Sequence, residues 1–210
     1  GFGTVYEGLE KIGISGNDAV LITGLGPVGL AAAMLCRCLG SHNIIGIEAV
    51  SERVDIAREL PLRMGDDSVK LFDTVLQAGP NNVEDVRALT GGHGVERAVE
   101  CSAHEQARLT AVQATRKWGR IALIGEGGTM SADFAPSRDM IHDQKTMYGS
   151  WVTNLWRMEE LLERLARWGV HPEDLITHRF SLDDAPKAYE LMASGKCGKV
   201  AVCFDEELEG

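Results

Sequence analysis

The chain has 210 residues, of which 44% are hydrophobic, and it carries a formal net charge of −10 at pH 7. A chain of this size buries enough surface for one domain, and its acidic residues, spread along the whole length, argue against nucleic acid as a partner. The longest apolar run, 28–35, is far shorter than the ~20 residues that span a bilayer, and no signal-peptide pattern opens the chain. We therefore expect a cytoplasmic protein without membrane contact.

Short apolar runs with high β-propensity alternate with helical stretches. The predicted strands are 19–23, 43–48, 67–72, 95–101, 120–125 and 145–152. The predicted helices are 27–39, 51–64, 104–117, 154–168 and 184–194. Several strands are apolar at nearly every position, which is typical of strands covered by helices on both faces. With right-handed crossovers, this pattern predicts an α/β fold of the Rossmann type with a doubly wound parallel six-stranded sheet in the order 3-2-1-4-5-6.

A glycine-rich turn joins the first predicted strand to the first helix, within the run AVLITGLGPVGLAAAM. Gly24, Gly26 and Gly29 have the G-x-G-x-x-G spacing of a dinucleotide-binding turn, and Pro27 begins the helix. The first glycine permits a tight turn, the second lets a pyrophosphate approach the backbone, and the third lets helix and strand pack closely. A glycine-rich turn without a ligand is the alternative, but the strand and helix on either side favour a dinucleotide site.

An acidic residue closes the second predicted strand, 19 residues after the last glycine of the motif. At this position the Glu48 carboxylate can accept hydrogen bonds from the adenosine ribose, and it would repel a 2′-phosphate. Arg53 follows at the start of the next helix, within reach of the same ribose. The pair predicts NAD rather than NADP, while an ordinary solvated acid and base remain the alternative.

Cysteine and histidine positions do not form a recognisable metal or disulfide pattern. The five cysteines have no regular spacing, and Cys36 and Cys38 point apart on a helix, so neither a disulfide framework nor a shared metal ion is expected. The six histidines have no i, i+4 pair. We therefore predict neither a metal site nor a catalytic residue in this chain.

The chain resembles the cofactor-binding part of zinc-dependent medium-chain dehydrogenases, near their alcohol, sorbitol and threonine dehydrogenase branches. The resemblance covers the whole chain. It is carried by GFGTVYEGLEKIG, GLGPVGL, IGIE followed by SER, GGHGVERAVECSA, RIALIG, IHDQKTMYGSW, HPEDLITHRFSLDDAPKAYELM and SGKCGKVAV. These segments together are far more specific than the glycines alone.

The resemblance implies further cofactor contacts. It implies that Thr4 and Val28 lie against the nicotinamide ring and that Ser102 lies near a cofactor ribose. It also implies that Ile124, with Gly125, and the backbone from Ser150 to Val152 hold the carboxamide, and that Lys199 contacts the diphosphate. A helix-terminal hydroxyl is the alternative for Thr4, and a solvated base is the alternative for Lys199.

The resemblance also implies a division of labour and a partner. Residues 1–152 would form the dinucleotide-binding domain, and 153–210 would supply helices and a strand that pack toward a catalytic domain. In such enzymes that domain provides the zinc ligands, so this chain alone is expected to bind NAD and not to oxidise the small alcohol or polyol substrate. An edge strand at 145–152 predicts a homodimer.

Other functions share parts of this sequence pattern. A short-chain dehydrogenase would need Tyr-x-x-x-Lys, which the chain lacks. A methyltransferase would usually end on an antiparallel strand pair rather than on SGKCGKVAV. A non-catalytic NAD-binding or oligomerisation module and a zinc-free relative of the quinone reductases remain alternatives.

Overall fold

Helices and strands alternate in the computed structural model, which describes residues 1–204. The helices are α1 (Phe2–Ile12), α2 (Pro27–Cys38), α3 (Ser51–Glu59), α4 (Asn82–Leu89), α5 (Glu105–Ala114), α6 (Leu155–Trp168) and α7 (Ala185–Ser194). The strands are β1 (Ala19–Thr23), β2 (Asn43–Glu48), β3 (Pro61–Met64), β4 (Asp67–Lys70), β5 (Thr74–Gln77), β6 (Val95–Glu100), β7 (Thr115–Leu123), β8 (Thr146–Gly149), β9 (Ile176–Ser181) and β10 (Lys199–Cys203). Among the residues described, no helix is both long and apolar enough to cross a bilayer.

Six strands form one parallel sheet in the order β5-β2-β1-β6-β7-β8. Numbered by their appearance in this sheet, they run 3-2-1-4-5-6, so the predicted Rossmann-type topology is confirmed. The chain order reverses between β1 and β6, where the connections leave on opposite faces. In open α/β sheets a crevice at the carboxyl ends of the strands opens at this point, and ligands bind there.

Two helical layers cover the sheet, as the apolar strands predict. In β1, Val20 and Ile22 belong to a core that includes residues of α1, α2 and α6. Leu21, on the opposite face, belongs to a second core with residues of α4 and α5. Side chains alternate between the faces of a strand, so apolar residues at consecutive positions reflect burial on both sides.

The third strand of the sheet differs from the prediction. It is β5, at Thr74–Gln77, whereas the predicted strand 67–72 overlaps β4, which pairs antiparallel with β3 in a small separate hairpin. Every residue of β4 is exposed. Phe72, just beyond the hairpin, is buried, and its ring lies 3.0 Å from the Cβ that Gly46 would carry. The apolar end of the predicted strand therefore packs on the sheet without joining it.

The predicted helix 51–64 is too long at its carboxyl end. In the structure α3 ends at Glu59, and the chain turns at Leu60 and Pro61 into β3. Proline disfavours the helical conformation of the residue before it and donates no backbone hydrogen bond, which explains the early end. The predicted edge strand 145–152 is likewise shorter in the structure, as β8 covers Thr146–Gly149.

The carboxyl-terminal helices expose residues that the periodic pattern predicts to be buried. The helical spacing predicts core stripes of Leu155, Met158, Leu162, Leu165 and Trp168 in 154–168, and of Ala185, Ala188, Tyr189 and Met192 in 184–194. Leu165 and Ala188 are buried, but Leu155 is 90% exposed, and Leu162, Tyr189 and Met192 are also exposed. Apolar spacing identifies a helix face, and it does not identify what covers that face.

Candidate cofactor cleft

A cleft of about 610 Å³ opens at the carboxyl ends of β1, β2, β5 and β6, at the reversal of strand order. Three of the predicted site residues, Gly24, Glu48 and Ser102, line it. Its lining is more apolar than polar, as expected of a pocket for a flat base. The strand ends therefore bring together residues that lie 78 positions apart along the chain, from Gly24 to Ser102.

The three glycines of the turn face different surroundings. Gly24 has φ +84°, and a Cβ there would lie 2.6 Å from Cβ of Ser102. A Cβ on Gly29 would lie 1.9 Å from the Gly24 carbonyl oxygen. At Gly26 the nearest atom to such a Cβ is Nη1 of Arg53, at 3.4 Å. The fold itself therefore requires Gly24 and Gly29, whereas the nearest atoms over Gly26 belong to the end of a flexible side chain, Arg53.

The first turn of α2 follows directly on Gly26. Gly26 is the N-cap, Pro27 occupies the first helical position, and no side chain caps the helix. The early backbone N–H groups of a helix lack partners within it, and together with the helix dipole they attract an anion. Val28, in this first turn, is half-buried. The turn thus provides backbone donors for a negatively charged group.

Glu48 is tied to the glycine turn by its carboxylate. Its Oε2 accepts a hydrogen bond from the Leu25 N–H at 2.7 Å, and its Oε1 accepts from the N–H groups of Ala49 at 2.7 Å and Val50 at 2.9 Å. The side chain is buried, yet it lines the cleft. A carboxylate oxygen has two lone pairs, so Oε2 retains one acceptor position for a ligand. The sequence predicted the residue but not these backbone contacts.

Arg53 connects the turn to the carboxyl-terminal part of the chain. Its guanidinium faces Gly26, and its Nε donates to the carbonyl of Cys197 at 3.0 Å. Next to it, Lys196 pairs with Glu52 at 2.9 Å. These contacts attach the segment before β10 to the start of α3, close to Gly26.

Lys199 begins β10, immediately after this attached segment. The preceding Gly198 lies against α2, since a Cβ there would be 3.2 Å from Leu30. Lys199 is exposed. Its position therefore lies near the first turn of α2, although the described contacts give its ammonium no partner at the turn itself.

The residues assigned to the nicotinamide end lie at the carboxyl ends of β7 and β8. Ile124 and Ser150 are buried and meet at Gly8 of α1, where a Cβ would lie 2.8 Å from Ile124 and 3.5 Å from Ser150. Thr4 is one helical turn earlier on the same face of α1. Within the described residues the Ser150 hydroxyl has no hydrogen-bond partner. The backbone then turns outward, with Val152 at φ +57°.

Other lining residues escaped the sequence analysis. Asn82 accepts a hydrogen bond from the Gly79 N–H at 2.6 Å and donates to the Gln77 carbonyl at 3.1 Å, so it shapes the loop after β5. His104 and Gln106, before and within α5, line the facing wall. The sequence analysis missed this loop because it placed the third strand at 67–72. A strand at 74–77 would have placed the following residues, GPNN at 79–82, at the cleft.

A zinc site needs three or four side-chain ligands that converge on one ion. Within residues 1–204, no three His, Cys, Asp or Glu side chains are placed to hold one metal ion. Burial raises the pKa of Cys38 to about 12 and raises that of Cys36 further, so both remain thiols at neutral pH. The described residues therefore do not fit a zinc site.

The comparisons with known proteins agree with this architecture. Residues 27–167 match the family described as zinc-binding dehydrogenase. An uncharacterised zinc-type alcohol dehydrogenase-like protein of Escherichia coli K12 is 41% identical over 206 residues, which cover 98% of this chain and 55% of that protein. An L-threonine 3-dehydrogenase of Pyrococcus abyssi is 34% identical over 190 residues, which cover 89% of this chain and 51% of the enzyme.

A solved structure gives the same answer for the fold. The alcohol dehydrogenase of Thermotoga maritima superposes with a TM-score of 0.81 at 24% identity, over 97% of this chain and 55% of that one. This chain spans about half the length of the curated relatives it matches. The family match covers well over half of the 210 residues, and the relatives match nearly all of them. The chain therefore belongs to the zinc-binding dehydrogenase family.

Proposed function

We propose that the chain binds NAD in the cleft and is the cofactor-binding half of a zinc-dependent alcohol or polyol dehydrogenase. The observation that carries the proposal is Gly26, over which only a cationic guanidinium lies close, beside a buried Glu48 carboxylate that is tethered to the same turn. When bound, a nicotinamide dinucleotide supplies hydride transfer at its nicotinamide ring. The part of this chain is to bind and orient it.

The adenosine half would occupy the cleft between the ends of β2 and β6. The free acceptor position of Glu48 suits a ribose hydroxyl, and its charge would repel a 2′-phosphate, which is the basis for NAD over NADP. The diphosphate would lie over Gly26, with the N–H groups of Val28 and Gly29 as donors. Arg53 and Lys199 would add positive charge on its outer side.

The nicotinamide half would lie toward α1 and the ends of β7 and β8. Thr4 and Val28 would contact the ring, while Ile124, Gly125 and the backbone from Ser150 to Val152 would hold the carboxamide. The unpaired buried hydroxyl of Ser150 supports a polar ligand at this end, because a buried polar atom without a partner is costly. Ser102 would contact a ribose at the centre.

The activity of the whole enzyme extends the proposal. Zinc-type relatives over nearly the full chain support alcohol or polyol oxidation, and they favour it over a zinc-free quinone reductase or a non-catalytic module. The described residues supply no zinc site, so no zinc-dependent step is assigned to them. The described part of the predicted segment 153–210, residues 153–204, would pack toward a catalytic domain, and the exposed Leu155 and Tyr189 support such a contact. Residues 205–210 lie outside the described part of the chain.

A homodimer through the edge of the sheet is a further part of the proposal. β8 pairs with β7 on one side and is the last strand of the sheet order, and Trp151 just beyond it is 69% exposed. A strand edge without a further partner among residues 1–204, next to an exposed apolar side chain, favours self-association. A cytoplasmic location and the absence of nucleic-acid and membrane partners remain predictions from the sequence.

Calorimetric titration tests the proposed function. We expect one NADH site per chain, weaker binding of NADPH, and competition by AMP for the adenosine half. Equal affinity for NADH and NADPH would overturn the assignment of Glu48. No binding of NADH at millimolar concentration by the folded chain would overturn the proposed function.

A further inference from the structure

A fully buried carboxylate lies at the end of the central strand β6, behind the cofactor cleft. Oε1 of Glu100 accepts hydrogen bonds from the N–H and the hydroxyl of Ser102, both at 2.6 Å, and from the Ala103 N–H at 2.9 Å. Its Oε2 lies 3.5 Å from Nε of Arg108 on α5. Glu100 therefore fixes the segment that follows β6.

Arg108 fixes a second segment, the one that follows β7. Its Nη2 donates to the carbonyls of Gly125 at 2.8 Å and Gly127 at 2.6 Å, and its Nη1 donates to that of Thr129 at 3.2 Å. The side chain is only 10% exposed. A planar guanidinium can serve three carbonyls and a carboxylate at once, which a lysine ammonium cannot do in the same geometry.

The two segments also touch each other directly. A Cβ on Gly125 would lie 2.3 Å from the Ala103 nitrogen, and one on Gly128 would lie 2.1 Å from the Ala103 carbonyl oxygen. Ala103 itself is held at φ +65°, an unfavourable conformation for a residue with a side chain. The first segment therefore limits the space that the second can occupy on one side, and the bonds from Arg108 hold the second segment's carbonyls.

We propose that Arg108 is a positioning residue for the nicotinamide half of the cofactor, an inference that rests on the proposed function. The segment it holds begins at Gly125, directly after Ile124, where the carboxamide would bind. A buried Arg–Glu pair is a weak source of net stability, because desolvating both charges offsets their attraction. Its carbonyl contacts, in contrast, restrict a glycine-rich segment whose other described backbone hydrogen bond runs from the Gly125 N–H to the Glu100 carbonyl.

Replacing Arg108 should affect the binding of the two halves of the cofactor differently. Glu100 keeps its three bonds to Ser102 and Ala103 when Arg108 changes, so the wall of the adenosine cleft is retained. AMP reports on the adenosine half alone, and NADH reports on both halves. Loss of positioning at Gly125 thus weakens NADH binding and leaves AMP binding intact.

The test is Arg108→Lys. This substitution keeps a positive charge beside Glu100 and removes the planar guanidinium that bonds to several carbonyls at once. The matched control is Arg97→Lys on the same strand as Glu100, since Arg97 pairs with Asp18 at 3.4 Å and donates to the Gly13 and Glu96 carbonyls at the opposite end of the sheet. By calorimetry we expect Arg108→Lys to weaken NADH binding about tenfold or more, as a small misplacement of a binding group does, with AMP affinity unchanged within twofold. The control leaves both affinities unchanged.

Unchanged NADH affinity in folded Arg108→Lys, or an equal loss for NADH and AMP, would overturn the inference. Failure of the unchanged protein to bind NADH would instead overturn the proposed function. Hydrogen exchange provides a second test on the unchanged protein. The Gly125 N–H donates to the Glu100 carbonyl at 3.0 Å. We expect this amide to be protected from exchange with solvent before NADH is added. Exchange of that amide at the rate of an unfolded chain would also overturn the inference.

Discussion

Alanine at Gly29 and alanine at Gly26 add the same methyl group to the same turn, three residues apart, with different expected effects. At Gly29 the new Cβ would lie 1.9 Å from the Gly24 carbonyl oxygen and 3.0 Å from its carbon. Real Cβ atoms stay beyond about 3 Å from such neighbours, so the turn would have to move by about 1 Å. At Gly26 the new Cβ meets only the Arg53 guanidinium, at 3.4 Å.

The cost at Gly29 follows from what the displaced turn holds. The Gly24 N–H donates to the Ile47 carbonyl at 2.8 Å, and the Leu25 N–H donates to Glu48 at 2.7 Å. Overpacking costs about 1–3 kcal/mol, and weakened hydrogen bonds add about 1 kcal/mol each. We therefore expect Gly29→Ala to lower the free energy of unfolding by about 2–5 kcal/mol, a large share of a typical total. Gly26→Ala replaces one N-cap by a poorer one and should cost less than about 1 kcal/mol.

Urea denaturation at 25 °C measures the stability of both variants, and calorimetry with NADH measures their binding. Gly26→Ala should fold like the unchanged protein and bind NADH at least about tenfold more weakly, because its methyl group occupies the diphosphate position. A Gly29→Ala protein as stable as the unchanged chain would refute the packing argument. A folded Gly26→Ala protein with full NADH affinity would refute the placement of the diphosphate over Gly26.

Three further substitutions test other parts of the account. Glu48→Gln should reduce the preference for NADH over NADPH by about tenfold in calorimetry, and an unchanged ratio would contradict the role of its charge. The hydrogen bond from Arg138 lowers the pKa of the buried Asp139 to about 2. The ionised carboxylate therefore stabilises the fold fully at pH values above its unfolded pKa of about 4. This contribution to the free energy of unfolding is lost as the pH falls through 2. Asp139→Asn should therefore lower the free energy of unfolding at pH 7 and flatten its decline between pH 4 and 2, as measured by urea denaturation; an unchanged decline would count against the pair. Trp151→Glu should shift a dimer toward monomer in light scattering without changing the melting temperature, and a monomeric unchanged protein would rule out the dimer.

The glycine turn was predictable because its backbone geometry can form only where particular positions are glycine. Gly24 at φ +84° and the contact of Gly29 with the Gly24 carbonyl each require the absence of a side chain, so the motif identifies the turn, and the apolar runs on either side identify β1 and α2. The third strand was not predictable in the same way. The segment 67–72 has apolar residues at Val69, Leu71 and Phe72, which favour a core strand. The two-residue turn Gly65–Asp66 is a hairpin signal, but the helix predicted over 51–64 ended there and hid it.

The site itself was only partly predictable, for a related physical reason. Gly24 and Glu48 were predicted because they lie at the ends of recognisable strands, and Ser102 was predicted from the resemblance to a known family. Asn82 was missed with its strand, and Arg108 was missed because charged residues are usually exposed. Its burial depends on carbonyls 17 to 21 residues further along the chain, which only the folded sheet brings within reach.

Backbone amide chemical shifts during an NADH titration test the central claim most directly, because they report both binding and its location. The account predicts saturable shifts at Leu25, Val28 and Gly29 in the glycine turn, at Ala49 beside Glu48, and at Gly125. AMP should reproduce the shift at Ala49 but not the one at Gly125. Saturable NADH binding that leaves the glycine turn unshifted, or no shifts at millimolar NADH, would contradict a nicotinamide dinucleotide site in this cleft.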